Sequence, residues 1–158
     1  MRRPGHIGRA FLFPSMIILA DAREIGVGRS LTTNDTRAWS RSLTEHERTI
    51  EKYMAGFRVS DHEQILSCLT DDVEWEIPGM FHSKGKAAFD KEIENEAFVG
   101  SPDIAVSRLI EEGDVVVAEG SVRAQKRDGG ALSLRFCDVF VMQAGKIKRL
   151  TSYLMEIK

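Results

Sequence analysis

Val73-Glu74-Trp75-Glu76-Ile77-Pro78-Gly79 is the stretch on which the reading of this chain turns. Apolar Val73, Trp75 and Ile77 alternate with Glu74 and Glu76, a period of two that sets one face of a strand against a core and the other against water. Pro78 cannot donate to a sheet ladder and Gly79 favours a turn, so the strand stops there. What lies before it has helical spacing, and most of what lies after it has strand spacing.

Upstream, Thr44-Glu45-His46-Glu47 has the form of a capping box, Thr44 capping and Glu47 reaching back. Ile50, Tyr53, Met54 and Phe57 follow at i, i+3, i+4 and i+7, one apolar stripe on a helix over 44–59. Ser60-Asp61 caps a short second helix carrying Ile65, Leu66 and Leu69, which ends at Thr70-Asp71-Asp72. Downstream, 80–84 reads as a loop and 86–98 as a third helix, with Phe89, Ile93 and Phe98 inward and Asp90, Glu92, Glu94 and Glu96 on a solvated face. Gly100-Ser101-Pro102 breaks it. Strands over 104–111, 115–126, 132–142 and 146–157 are separated by Glu112-Gly113, Asp128-Gly129-Gly130 and Gln143-Ala144-Gly145. Helices first and then a meander of strands define an α+β domain with a largely antiparallel sheet. A few helices cannot cover a long curved sheet, so the order predicts a concave, mostly apolar cleft between them.

The chain has 158 residues, 42% of them hydrophobic and 29% charged, an ordinary globular composition with room for one core. The net charge of −2 argues against nucleic acid as a partner, because phosphate binding needs a basic surface. The charge is unevenly placed: residues 1–43 hold seven Arg and three acids, while the remainder holds 15 basic and 21 acidic residues. That shift divides the chain into an extension or leader over 1–43 and a domain over 44–158. The apolar run Ala10–Ala20 is interrupted by Pro14-Ser15 and is too short to span a bilayer, so no membrane partner is expected. Arg2, Arg3 and Arg9 before it and Ala20-Asp21-Ala22 after it give it some secretory character. Two locations stay open: the cytoplasm, or a secreted or periplasmic site if residues 1–22 are cleaved. Cys68 and Cys137 read as reduced thiols, and no Cys/His spacing predicts a metal.

The element order, Asp61-His62-Glu63 at the second helix, Trp75 followed by Pro78-Gly79, and Asp138-Val139-Phe140 followed by Gly145-Lys146-Ile147 resemble the nuclear transport factor 2-like superfamily. Within it they resemble the SnoaL-like group, which includes ketosteroid isomerases. The resemblance covers 44–158. It implies a cone-shaped α+β barrel, a curved antiparallel or mixed sheet wrapped around three helices. It also implies cofactor-free chemistry and a homodimer joined sheet to sheet. In the isomerases a first-helix Tyr and a protonated Asp on a late strand form an oxyanion hole. Glu51-Lys52-Tyr53-Met54 and Phe136-Cys137-Asp138-Val139-Phe140 match those stretches, so Tyr53 and Asp138 take those places. The general base, an Asp just before the Pro that ends the first strand, is replaced here by Ile77.

The candidate catalytic residues are therefore Asp138, Tyr53 and His82, the last being a loop histidine whose ordinary pKa suits a substitute base. Glu76 is a weaker substitute, since alternation turns it away from Trp75. Phe57, Trp75, Ile77, Phe140 and Tyr153 are the candidate ligand contacts, with the face of Tyr153 left open because a bulge there would reverse it. The expected ligand is a small apolar molecule bearing oxygen. The expected activity is that of an isomerase, dehydratase or hydrolase, against the alternatives of a non-catalytic binding protein or a dimerisation domain.

Overall fold

The computed structural model describes residues 42–157. The leader reading, and the expected extension as far as residue 41, fall on residues outside that span.

Helix α1 (Glu45–Val59) begins at the expected capping box. Thr44 accepts from the Glu47 backbone N–H, and the Glu47 carboxylate accepts from the Thr44 N–H. Its stripe buries Ile50, Tyr53 and Met54. Helix α2 (His62–Ser67) is capped by Asp61, which accepts from the Gln64 N–H. The two helices approach closely at Gly56, where a β-carbon would meet Ile65 Cγ1 at 2.7 Å.

Strands β1 (Leu69–Ile77), β2 (Phe81–Lys84), β3 (Phe98–Glu112), β4 (Val115–Lys126), β5 (Ala131–Gln143) and β6 (Lys146–Glu156) form one mixed sheet, with helix α3 (Lys86–Asp90) between β2 and β3. The order is β2-β1-β6-β5-β4-β3, and β1 runs parallel to β6 while every other pair is antiparallel. The sheet curves without closing, and the helices fill its concave side. The core lies between them. Phe89, Phe140, Ile50, Leu69, Ile147 and Leu150 are among its most deeply buried apolar side chains, and truncating either Phe to Ala would cost about 3–5 kcal/mol.

The observed elements depart from the expected ones in four places. The loop expected over 80–84 is strand β2: Gly79 adopts φ +76°, Met80 N–H donates to Ile77 C=O, and the chain doubles back on β1. The third helix stops at Asp90 rather than Phe98. Asp90/Glu94 and Glu92/Glu96 would be like-charged i,i+4 pairs, which oppose propagation. The segment is instead tied down by Arg127, whose backbone N–H and Nε donate to the Ala97 and Glu96 carbonyls. Leu69, expected on α2, opens β1. Finally, β3 starts at Phe98, and Gly100-Ser101-Pro102 is absorbed as a register shift between Val99 and Asp103. β3 is an edge strand, where a proline costs no ladder bond.

The β5–β6 hairpin sets the site. Ala144 and Gly145 both have positive φ, a two-residue turn that pairs Gln143 with Lys146. Between Ile147 and Arg149 the register slips, leaving Lys148 as an extra residue in β6 that ion-pairs with Asp72. That bulge reverses which β6 residues face inward beyond it. Asp138 consequently faces Ser152, and Tyr153 pairs with Cys137 on the outer face.

Candidate functional site

A cavity of about 640 Å³ opens between α1, the 93–104 segment and the concave sheet face. Its walls are largely aromatic and aliphatic: Tyr53, Met54 and Phe57 from α1, Trp75 from β1, Phe136 from β5, and Leu150 and Leu154 from β6. Phe98, Ile104 and Val122 complete the apolar wall. Ser60, Glu94, Asn95, Glu96, Ser101 and Arg127 also line it. Asp138 and Ser152 bring polar groups onto the sheet side.

Asp138 lies on the inward face of β5, with Leu134, Phe136, Phe140 and Met142 sharing that face. Its residue as a whole is half-buried, because it borders the cavity, while its Oδ1 is buried and has no hydrogen-bond partner among the described residues. Desolvation pushes the carboxyl up from 3.8 to about 7, and the Ser152 hydroxyl across the strand pair, donating toward the carboxylate, holds it back from rising further. A carboxylic acid in that range is available both protonated and ionised near neutral pH.

Tyr53 is held among rings. Phe57, Phe140 and Phe89 sit edge-on to it at 5.0, 5.7 and 6.3 Å between centroids. Burial, together with the nearby Asp138 and Cys68, raises its phenol well above the usual range, so the phenol stays protonated and can donate. Trp75 stacks against Phe89 at 5.0 Å and meets Phe81 edge-on at 5.2 Å, and its indole N–H donates to Ser152 Oγ at 3.1 Å.

Of the eight candidate residues, Tyr53, Phe57, Trp75 and Asp138 therefore meet on one cavity. Ile77 and Phe140 are buried in the core and are not on the cavity wall. His82 and Tyr153 lie elsewhere. His82 is exposed and pairs with Glu76, the outward residue of β1, so it sits on the far side of the sheet from Asp138. Tyr153 is 53% exposed on the outer face, on the side fixed by the β6 bulge. Glu76 points outward as expected. Ser152 and the 93–104 wall were not among the candidates. Ser152 could be found from sequence only with the bulge known, and the 93–104 wall was hidden by reading that segment as helix. Cys68 and Cys137 are both free thiols. Among the described residues no helix is long and apolar enough to cross a membrane, and no cluster of His, Cys, Asp and Glu is arranged to hold a metal ion.

Several solved structures share this architecture. TerC, co-crystallised with polyporic acid, is 28% identical with a TM-score of 0.65, over 71% of this chain and 92% of its own. An NTF2-like protein of unknown function from Burkholderia pseudomallei is 19% identical with a TM-score of 0.66, over 72% of this chain and 92% of its own. An LEH-like epoxide hydrolase from M. tuberculosis is 20% identical with a TM-score of 0.63, over 70% and 83%. The latter two likenesses concern the fold alone. No curated protein matches the chain. A sequence profile described as the SnoaL-like domain matches residues 50–150, the greater part of the chain. With the six-stranded curved sheet and its three helices, that match makes the chain a member of the SnoaL-like domain family, within the nuclear transport factor 2-like superfamily.

Proposed function

We propose that this protein takes a small, largely apolar, oxygen-bearing molecule into the cavity and polarises its oxygen with Asp138 and Tyr53, as a cofactor-free isomerase, dehydratase or hydrolase. The observation that carries this reading is Asp138: a carboxyl with an unpartnered buried oxygen, held near neutrality in pKa, at an otherwise apolar wall. Leaving such an oxygen unpaired is costly unless a guest completes it. Tyr53 adds a second donor and the rings around it supply flat apolar surface.

Proton transfer is assigned to Asp138 itself. Ile77 cannot act as a base and His82 is outside the cavity. A group that titrates near 7 can both give and take a proton at neutral pH. The missing separate base also supports the second reading, a binding protein that holds the same class of molecule without turning it over.

Polyporic acid, the compound crystallised with TerC, is the first probe to use. The full chain should bind it, and Asp138→Asn should weaken binding about tenfold or more, the scale of losing a charge-assisted or strongly directed hydrogen bond. Native mass spectrometry of freshly purified protein tests for a retained molecule. If no apolar oxygen-bearing compound binds, or if Asp138→Asn binds as wild type does, the reading is wrong. Turnover by the wild type, lost on the order of 10²–10³-fold in Asp138→Asn, separates enzyme from binder.

The expected homodimer is assigned to the outer sheet face. Ile110, Val117, Val139 and Thr151 lie side by side across β3, β4, β5 and β6 there, next to Tyr153 and Met155, which are 53% and 65% exposed. A band of this kind on a monomer is a usual mark of an interaction site.

A further inference from the structure

Trp75, Ser152 and Asp138 lie on three adjacent strands, β1, β6 and β5; Ser152 is directly opposite Asp138, and Trp75, in register with Leu150, reaches it diagonally through its indole. The Trp75 indole N–H donates to Ser152 Oγ at 3.1 Å in a buried bond. An indole N–H can only donate, so Ser152 is the acceptor in that contact. Ser152 is itself 3% exposed, and a buried hydroxyl must find an acceptor for its own hydrogen. The group directly across the strand pair is the Asp138 carboxyl. The chain of donors therefore runs one way, from Trp75 through Ser152 toward Asp138.

We propose that Trp75 and Ser152 are positioning residues that fix which oxygen of Asp138 carries its proton. Ser152 lies directly across from Asp138 and is the side chain whose hydrogen bonding favours its ionised form, so with its hydrogen directed at one carboxyl oxygen, a proton on that oxygen would set two hydrogens against each other across a single contact. Ser152 could escape only by turning its hydrogen toward the neighbouring apolar Leu150 and Leu154, or by giving up its bond from Trp75. The acid proton therefore sits on the other oxygen, the one turned away from Ser152. A carboxylic acid rotating freely between two equivalent protonation sites would be a poorer donor than one whose proton is aimed before the guest arrives.

This rests on the proposed function for its use but not for its test, which needs no ligand. Asp138 is titrated by carboxyl-carbon NMR in wild type, Ser152→Ala, Trp75→Phe and the double variant. The other titratable groups near it are Tyr53 from α1 and the Cys137 thiol beside it, both raised in pKa by burial, and the charged groups along the cavity wall are Glu94, Glu96 and Arg127. Tyr53 and Cys137 thus stay neutral through the range in which Asp138 titrates.

Ser152→Ala removes a donor that favours the ionised form, so the Asp138 midpoint should rise by about half to one pH unit, three- to tenfold in ionisation constant. Trp75→Phe frees Ser152 to accept from the neutral acid, so it should move the midpoint the same way by a smaller amount. In the Ser152→Ala background Trp75→Phe should add nothing, because Trp75 acts through Ser152. Ser152→Thr, which keeps the hydroxyl, should restore the wild-type midpoint and remains informative if Trp75→Phe does not fold. The proposal is overturned if Trp75→Phe leaves the midpoint unmoved, if the two effects add in the double variant, or if Ser152→Thr titrates like Ser152→Ala. Loss of ligand binding in Asp138→Asn bears only on the proposed function. A ligand that ignores Asp138 would sink that reading and leave these midpoint changes standing.

Discussion

Gly120 lies directly across the β4–β5 pair from Phe136, and a β-carbon placed on Gly120 would come within 2.5 Å of the Phe136 ring at Cζ. On its other side the same β-carbon would collide with the Ala105 carbonyl oxygen of β3. Gly120 has ordinary strand backbone, so its requirement is one of space rather than of dihedral angle. The missing side chain is what lets the Phe136 ring lie flat across β4 and form the cavity wall. Gly120→Ala should destabilise the protein by roughly 1–3 kcal/mol, the range for overpacking a filled core. It should also weaken binding of any cavity ligand, because the ring must move into the guest's space. Combining it with Phe136→Leu should recover part of the loss, since the two sites share one contact. Urea unfolding of the three variants checks this, and a Gly120→Ala cost under about 0.5 kcal/mol would show that the sheet yields there instead.

The buried acid makes stability depend on pH in a direction opposite to that of a salt-bridged carboxylate. Asp138 has an ordinary value of 3.8 when unfolded and about 7 when folded. Between these values the native state binds a proton that the unfolded state does not, so stability falls as pH rises through this window and levels off above it. The contribution is present at low pH and lost on the alkaline side. Asp138→Asn keeps the shape and cannot ionise, so its stability relative to wild type should improve from pH 5 to pH 8.5. The improvement should be on the order of 2–4 kcal/mol, because each pH unit crossed inside the window is worth about 1.4 kcal/mol. Denaturation midpoints of both proteins at the two pH values measure it. A difference that stays constant with pH would mean that Asp138 is well solvated in the folded chain.

The contrast between what was legible and what was not follows from the range of the interactions. The α1 stripe, its capping box and the β1 alternation are local patterns, and each appears where the sequence places it. Tyr53 and Asp138 come together because both lie on faces that periodicity alone defines. The short α3 was not legible, because the Arg127 tether that holds the segment after it comes from the sequence-distant β4–β5 turn, and the local like-charged pairs within Asp90–Glu96 were read only as a solvated helix face. β2 was missed because a four-residue edge strand has too little alternation to stand out. The facing of Tyr153 and Ser152 depends on a single extra residue, Lys148. Counted straight out from the Gln143–Lys146 turn, Phe136 would face Tyr153, and Asp138 would face Thr151. One bulge exchanges them, and its extra residue, Lys148, ion-pairs with Asp72 of β1, a long-range contact that no local pattern records.

The outer sheet face provides a test of assembly. A two-fold dimer would bring each outer face against its copy, so any residue near the axis meets itself or a close neighbour. Tyr153 projects from that face. Tyr153→Glu would place like charges near one another in an apolar contact and should convert a dimer to a monomer, while leaving the cavity on the opposite face intact. Sedimentation velocity or native mass spectrometry reads the state, and ligand affinity serves as the control. A Tyr153→Glu protein that is still dimeric, or a wild type that is monomeric at tens of micromolar, would remove the outer face as the interface.

His82 and Tyr53 separate geometry from residue type. Histidine is the side chain with the most suitable ordinary pKa for moving a proton, and His82 follows the Pro78-Gly79 stop much as a site residue in a cleft-mouth loop would. Yet β2 pairs antiparallel with β1 in a register that sets His82 against Glu76, and both point away from the cavity. Tyr53 is pushed by burial still further from neutrality than an ordinary phenol, but its ring is fixed by three neighbours and it lines the same cavity as Asp138. His82→Ala should therefore leave ligand affinity, and any turnover, within about twofold of wild type, a change typical of a surface substitution. Tyr53→Phe keeps the ring packing and removes one donor, so stability should change little while affinity falls about three- to tenfold, the scale of one neutral hydrogen bond. Isothermal titration of both variants with polyporic acid or a ligand recovered from the purified protein compares them directly. The reverse order, with His82→Ala the more damaging, would place the reacting end of the guest on the other side of the sheet and would require a site that the concave cavity does not provide.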